Sequence, residues 1–85
     1  MPTTFTQPVE VHISESSLTR WLESKNASFE GHDADGFRMY KVKGTVVKFK
    51  SSERRDTQWV EMNGMYDNTD LWEDLERNAS RPIEF

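Results

Sequence analysis

Residues 38–50 read Arg-Met-Tyr-Lys-Val-Lys-Gly-Thr-Val-Val-Lys-Phe-Lys, with five cations, no anion and apolar side chains between them. Lysine and arginine neutralise phosphates, and aromatic rings stack on bases. Arg38, Lys41, Lys43, Lys48 and Lys50 are therefore candidate nucleic-acid contacts, with Phe37 or Tyr40 available for stacking. Two facts weigh against that reading. Lysines on a solvated sheet face also serve to discourage aggregation. Dedicated nucleic-acid binders are usually basic overall, whereas this chain has net charge −4 and a pI near 5.1.

The acids form the second constellation. Asp70, Glu73 and Asp74 fall within one helical segment, Asp-Leu-Trp-Glu-Asp-Leu-Glu. Carboxylates spaced along a helix can imitate phosphates and steer the domain onto a basic cleft of another protein. The plainer reading is a solvated helix face whose acids sit near the N-terminus, where the macrodipole favours them. Trp59 joins these three as a candidate protein contact. Its strand parity is opposite to that of Gln58 and Met62, and an exposed tryptophan is a frequent binding hot spot.

Chemistry beyond binding finds little support. Asp33-Ala34-Asp35-Gly36 resembles the middle of a calcium loop, but positions one and twelve would be Gly31 and Val42, which offer no side-chain oxygen. Asp-Gly here reads as a turn. His12 and His32 lie twenty residues apart without a paired ligand motif, and there is no cysteine to supply thiolate, disulfide or soft-metal chemistry. No phosphate-cradling loop or nucleophile elbow occurs. The expectation is a protein without enzymatic activity, cofactor or metal.

Length and composition bound the scaffold that must position these residues. Eighty-five residues make one domain, and 34% hydrophobic content is low. The 12% aromatic content compensates, because each buried ring removes roughly 150–250 Å² from water. No apolar run approaches a membrane span, and MPTTFTQPVE lacks the pattern of a signal peptide. A cytoplasmic protein with no membrane association is expected, and the sequons at Asn26 and Asn78 are then chance matches.

Val9 to Ile13 alternates apolar and polar residues after Pro8, as an edge strand does. Ser14 is placed to cap a helix over Glu15–Lys25, whose Leu18, Trp21 and Leu22 follow i, i+3, i+4. Ser28-Phe29-Glu30 reads as a brief strand, followed by the Asp-Gly turn. In the basic stretch Tyr40 and Val42 are apolar at even positions, Val47 and Phe49 at odd ones. A two-residue turn at Lys43-Gly44 resolves the conflict, pairing Val42 with Thr45, Tyr40 with Val47 and Arg38 with Phe49. A bulge at Gly44 in one long strand is the rival. Thr57 to Met62 reads as a further strand closed by an Asn63-Gly64 turn. The last helix is expected over Thr69–Ala79, with candidate caps at Asp67, Asn68 and Thr69 and a capping-box spacing of Asp70 with Glu73.

The order β-α-β-β-β-β-α predicts a single α+β domain over residues 1–85. An antiparallel sheet of three to five strands carries two helices on one face, with extended tails over 1–6 and 81–85. The other face is solvated and takes Lys41, Lys48 and Lys50, with Phe37, Met39 and Val46. Charge is segregated along the chain, with net −4 over residues 1–37, +6 over 38–55 and −6 over 56–85.

That layout favours a small acidic interaction protein that binds another protein through charged surfaces. An inhibitor or regulatory accessory protein of the kind small phage or bacterial genes encode fits the size and charge. Nucleic-acid binding by the basic hairpin is the alternative, and a structural subunit of a homo-oligomer, for instance a homodimer, is a third reading.

Overall fold

Lys43 and Gly44 both adopt positive φ, 47° and 83°, the pair of left-handed conformations that a type I′ turn requires. The chain reverses there. In the computed structural model, which describes residues 8–64 and 68–84, strand β3 (Arg38–Val42) pairs antiparallel with β4 (Thr45–Ser51). The register is the one parity demands: Val42 opposite Thr45, Tyr40 opposite Val47, Arg38 opposite Phe49. The basic stretch is a hairpin, not a bulged single strand.

Five strands form one antiparallel sheet in the order β1-β5-β4-β3-β2. β1 (Val9–Val11) and β2 (Ser28–His32) are the edges, and β5 (Gln58–Gly64) lies between β1 and β4. Helix α1 (Glu15–Ser24) connects β1 at one edge to β2 at the other, so it must cross the width of the sheet. Helix α2 (Thr69–Glu76) follows β5. Leu18, Trp21 and Leu22 of α1 and Trp72 and Leu75 of α2 join one buried cluster with Val9, Val11, Val42, Val47, Phe49, Val60 and Met62. The register places all seven strand residues on one side of the sheet, so both helices cover the same face. Each fully buried side chain of this kind contributes roughly 1.5–3 kcal/mol. The fold is the expected α+β domain.

The ends of α1 follow from local chemistry. Ser14 Oγ accepts the Ser17 N–H at 3.2 Å, which satisfies one of the orphan donors of the first turn. At the other end Asn26 takes φ 58°. Its N–H donates to the Glu23 carbonyl and that of Ala27 to the Leu22 carbonyl, the paired bonds of a Schellman stop.

Several boundaries differ from the sequence reading. The first strand ends at Val11 rather than Ile13, because the Ile13 N–H turns back to the Val11 carbonyl. Of the cap candidates Asn68 occupies the cap position of α2, and its side-chain amide donates to the Met62 carbonyl. Asp70 and Glu73 thus stand inside the helix rather than forming a capping box. α2 ends at Glu76 rather than Ala79. The next turns tighten, and Ser80 donates through both its N–H and Oγ to the His12 carbonyl. Ile83 docks in the core, its N–H held by the Glu76 carboxylate at 2.8 Å. The segments expected over residues 1–6 and at residue 85, and Asp67 as a cap candidate, lie outside the described residues.

The largest departure is at Asn63-Gly64. No turn forms there, since β5 runs on through Gly64, with Asn63 opposite Val46 and Gly64 opposite Thr45. Glycine serves close approach at this site. A Cβ on Gly64 would lie 2.8 Å from Thr45 Oγ1 and 3.3 Å from Thr45 Cα. Gly64→Ala is expected to lower unfolding stability by about 1–3 kcal/mol, as overpacking does. Urea denaturation checks this, and an unchanged midpoint would mean that the two strands separate at that end.

Candidate functional site

Every second residue of each strand points away from the helices, and together these side chains make a face that neither helix covers. The register orders them into rows. Glu10, Trp59 and Lys50 lie side by side across β1, β5 and β4. Glu61, Lys48 and Met39 form the next row, and Asn63, Val46 and Lys41 the third. Phe37 precedes β3 and lies against this face, with Lys50 Nζ 4.8 Å and Lys48 Nζ 5.6 Å from its ring centroid. It is 7% exposed yet stands outside the main core cluster. Pro8, Asp35, Phe37, Lys50 and Trp59 line a shallow depression there.

Lys48 ties this face together. Its ammonium lies 3.0 Å from Asp33 Oδ2 and 3.0 Å from Glu61 Oε2. It therefore clips the β2–β3 turn to β4 and β5. Asp33 is itself anchored, its Oδ1 accepting the backbone N–H groups of Asp35 and Phe37 at 2.9 Å each. Glu61 also accepts from the Asn63 side-chain amide at 2.7 Å. Partial loss of hydration would raise the Asp33 pKa. The Lys48 hydrogen bond, the two backbone donors and the Lys48 charge outweigh that, and the pKa falls below the usual carboxylate value. Hydrogen bonds to Asp33 and then Glu61 hold Lys48 above the usual lysine value, against its own desolvation.

The five candidate phosphate contacts do not make one stripe. Arg38 points to the helix side, where it pairs with Glu15 and stacks 5.6 Å over the Phe49 ring. Lys48 is neutralised by two carboxylates. Lys43 occupies the turn, and only Lys41 and Lys50 are exposed cations on the strands of the open face. Lys41, Lys43 and Lys50 have no ion pair among the described residues.

The four candidate protein contacts are likewise separated. Trp59 is half-buried on the open face, whereas Asp70, Glu73 and Asp74 belong to α2 on the far side of the sheet. Asp74 pairs with Lys25 and so fastens α2 to the end of α1. Asp70 and Glu73 are exposed. Trp21 and Trp72 are core residues, 4% and 3% exposed.

Sequence reasoning overlooked the Lys48 clip. Glu61 opposite Lys48 could be inferred once β4 and β5 are in register, but the approach of Asp33 depends on how the β2–β3 turn folds over the sheet. It also gave no weight to Phe29, which is 52% exposed on edge strand β2. Phe29 packs against His32 and Tyr40, with ring centroids 5.5 and 5.2 Å away. An isolated exposed aromatic is ordinary. Trp59 instead shares its depression with Phe37 and Lys50 on the open face.

Among the described residues no cluster of three or more histidine, aspartate or glutamate side chains could hold a metal, and no helix is long and apolar enough to cross a membrane. No family model, curated protein or solved structure matches the chain.

The clip has a definite pH signature. A depressed carboxylate pKa gives stability that is present above the unfolded value, about 3.9, and is lost as pH falls through the folded pKa. A raised lysine pKa gives stability present below about 10.4 and lost as pH rises through the folded value. Lys48→Met should therefore unfold at lower urea than the parent at pH 7. The gap should narrow as Asp33 is protonated below about pH 4. A gap that persists undiminished to pH 2 would mean that Lys48 acts through packing alone.

Proposed function

We propose that this protein is a non-enzymatic interaction domain that binds another protein through the helix-free face of its sheet, with Trp59 as the anchor. The observation that carries the reading is the composition of that face. Trp59 and Phe37 line one depression with Lys50, and Met39 and Val46 stand partly exposed farther along the face, beyond the Lys48–Glu61 pair. Partly exposed aromatic and aliphatic side chains among charged ones suit a protein interface. A small domain that acts by occupying another protein's surface is suited to an accessory, regulatory or inhibitory role, and the net charge of −4 favours a selective partner over indiscriminate polyanion binding.

The nucleic-acid reading draws less support from the same geometry. Phosphate binding scales with the number of uncompensated cations along one path. Here Arg38 is on the other side of the sheet, Lys48 is held by Asp33 and Glu61, and Glu10 and Glu61 lie beside Trp59 and Lys48. The α2 acids offer a second protein-binding surface, but Asp74 is engaged with Lys25, which leaves Asp70 and Glu73.

Capture from an extract of the source cell separates these readings. Trp59→Ala is expected to weaken retention of the partner roughly thirtyfold or more, as loss of a hot-spot side chain does. Asp70→Lys combined with Glu73→Lys should leave retention within a few-fold, with circular dichroism confirming that both variants fold. Partner loss in the α2 variant alone would move the interface to the helices. Retardation of single- or double-stranded nucleic acid at low salt, abolished by changing Lys41 and Lys50 to Glu, would replace the protein reading altogether.

A further inference from the structure

We infer that the partner element seated on this face is an acidic amphipathic α-helix, with carboxylates at both ends of an apolar stripe. The inference rests on the reading of the open face as a protein interface and adds the chemistry of what covers it.

The first argument is backbone satisfaction. A segment laid across the face of a sheet finds no free N–H or C=O beneath it, because the strands have used theirs in the ladder. An extended segment would have to bury its own backbone groups unpaired. A helix satisfies its backbone internally, and a sheet with one bare face is completed by a helical layer. Strand addition at the edges is the competing mode, and both edges resist it. β1 is three residues long and preceded by Pro8. β2 breaks register between Phe29 and Gly31, a bulge that bends the edge away from a straight partner.

The second argument is charge. The acids on this face are mostly engaged within it. Glu10 accepts from Ser52 Oγ and pairs with Arg54, and Glu61 and Asp33 share Lys48. Asp35, at the rim of the depression, is the exception, with no ion pair among the described residues. The cations are not so engaged. Lys41 and Lys50 are exposed and without ion pairs, and Lys43 stands at the adjoining turn. The uncompensated charge offered to a partner is therefore positive, although the protein as a whole is acidic. A carboxylate-bearing partner fits, and a phosphate backbone fits less well because three engaged acids still border its path.

The spacing sets the length. Lys41 lies opposite Val46, four residues along β4 from Lys50, which is about 13 Å at strand rise. A helix covers that distance in about nine residues. Carboxylates separated by two to three turns would reach both lysines while the leucine-like stripe between them meets Met39 and Val46 and, beside Lys50, Trp59. Seven-residue strands β4 and β5 provide a bed of about 23 Å, long enough for a helix of roughly fifteen residues.

The test uses two capped eighteen-residue amphipathic peptides of identical leucine stripe, one with glutamate and one with lysine on the flanks. Each is titrated into the full chain while the Trp59 indole N–H resonance and peptide helicity are followed. The glutamate peptide should bind about tenfold or more tightly than the lysine peptide at low salt, the gap closing in 0.5 M salt. Lys41→Glu with Lys50→Glu should invert the preference.

Equal affinity, or a preference for the lysine peptide, overturns the acidic helix while leaving Trp59 as anchor. If neither peptide moves the Trp59 signal, the helix is wrong, and the Trp59→Ala capture experiment decides the interface reading independently. A concentration-dependent dimer in sedimentation, lost in Trp59→Ala, would assign the face to a second copy. A single-stranded oligonucleotide that shifts Trp59 at low salt would assign it to nucleic acid. Each of these two results overturns the proposal.

Discussion

The two left-handed residues at Lys43-Gly44 set the side-chain parity on which the rest of the molecule depends. Strand side chains alternate with a period of two, so a slip of one residue would send the buried set to water and the lysines inward. Lys43 and Gly44 hold the type I′ geometry whose twist suits the strands it joins. The register of β3 on β4 puts Val42, Val47 and Phe49 under the helices. It puts Lys41, Lys48 and Lys50 on the other side. The pairing of β4 with β5 transmits the same parity, and Trp59 faces outward as a result.

On the open side, electrostatics take over the role that the helices play on the covered side. No helix pins the β2–β3 turn from above, and Lys48 does so with one ammonium shared between Asp33 and Glu61. Each group in that trio is half-buried, so the clip is less screened than a surface pair. It also removes the most central lysine from any role in binding. The basic stretch therefore divides by structural role: Arg38 and Lys48 hold elements together, while Lys41, Lys43 and Lys50 form no ion pair among the described residues.

Much of this is legible in the sequence, and the illegible part has a common cause. The turn at Lys43-Gly44 and the body of α1 follow from local pattern, because parity, capping and the i, i+3, i+4 stripe all agree there. The outward placement of Trp59 follows from parity as well. Asn63-Gly64 misleads because its turn propensity is real but β4 offers Thr45 and Val46 as ladder partners, and pairing prevails. Asp70 and Glu73 mislead in the same way. Their spacing suits a capping box, but Asn68, one of the candidate caps, takes that position and its amide bonds to the Met62 carbonyl. The far end of α2 yields to Ser80 and its two bonds to His12. At Gly64 and at Ser80 a contact between residues distant in sequence outweighs a local preference of about a kilocalorie per mole or less.

The same contest explains why the candidate surfaces separate. Charge counted along the chain shows one basic block between two acidic ones, yet the fold distributes the block over two faces and a turn. The pairs Arg38–Glu15 and Lys25–Asp74 each join oppositely charged residues of different elements and lie on the helix side, where they help to fix α1 against the sheet and α2. What remains uncompensated on the open face is small in charge: Asp35 against Lys41, Lys50 and, at the turn, Lys43. A domain of this size cannot cover both faces of a five-stranded sheet with two helices that both pack on one side. The bare face is therefore a consequence of the topology, because α1 must cross from one edge strand to the other and α2 packs beside it. On that face Trp59, Met39 and Val46 stand partly exposed on β5, β3 and β4 with the Lys48–Glu61 pair between them, so ion pairs rather than a second layer of helices order the side chains there.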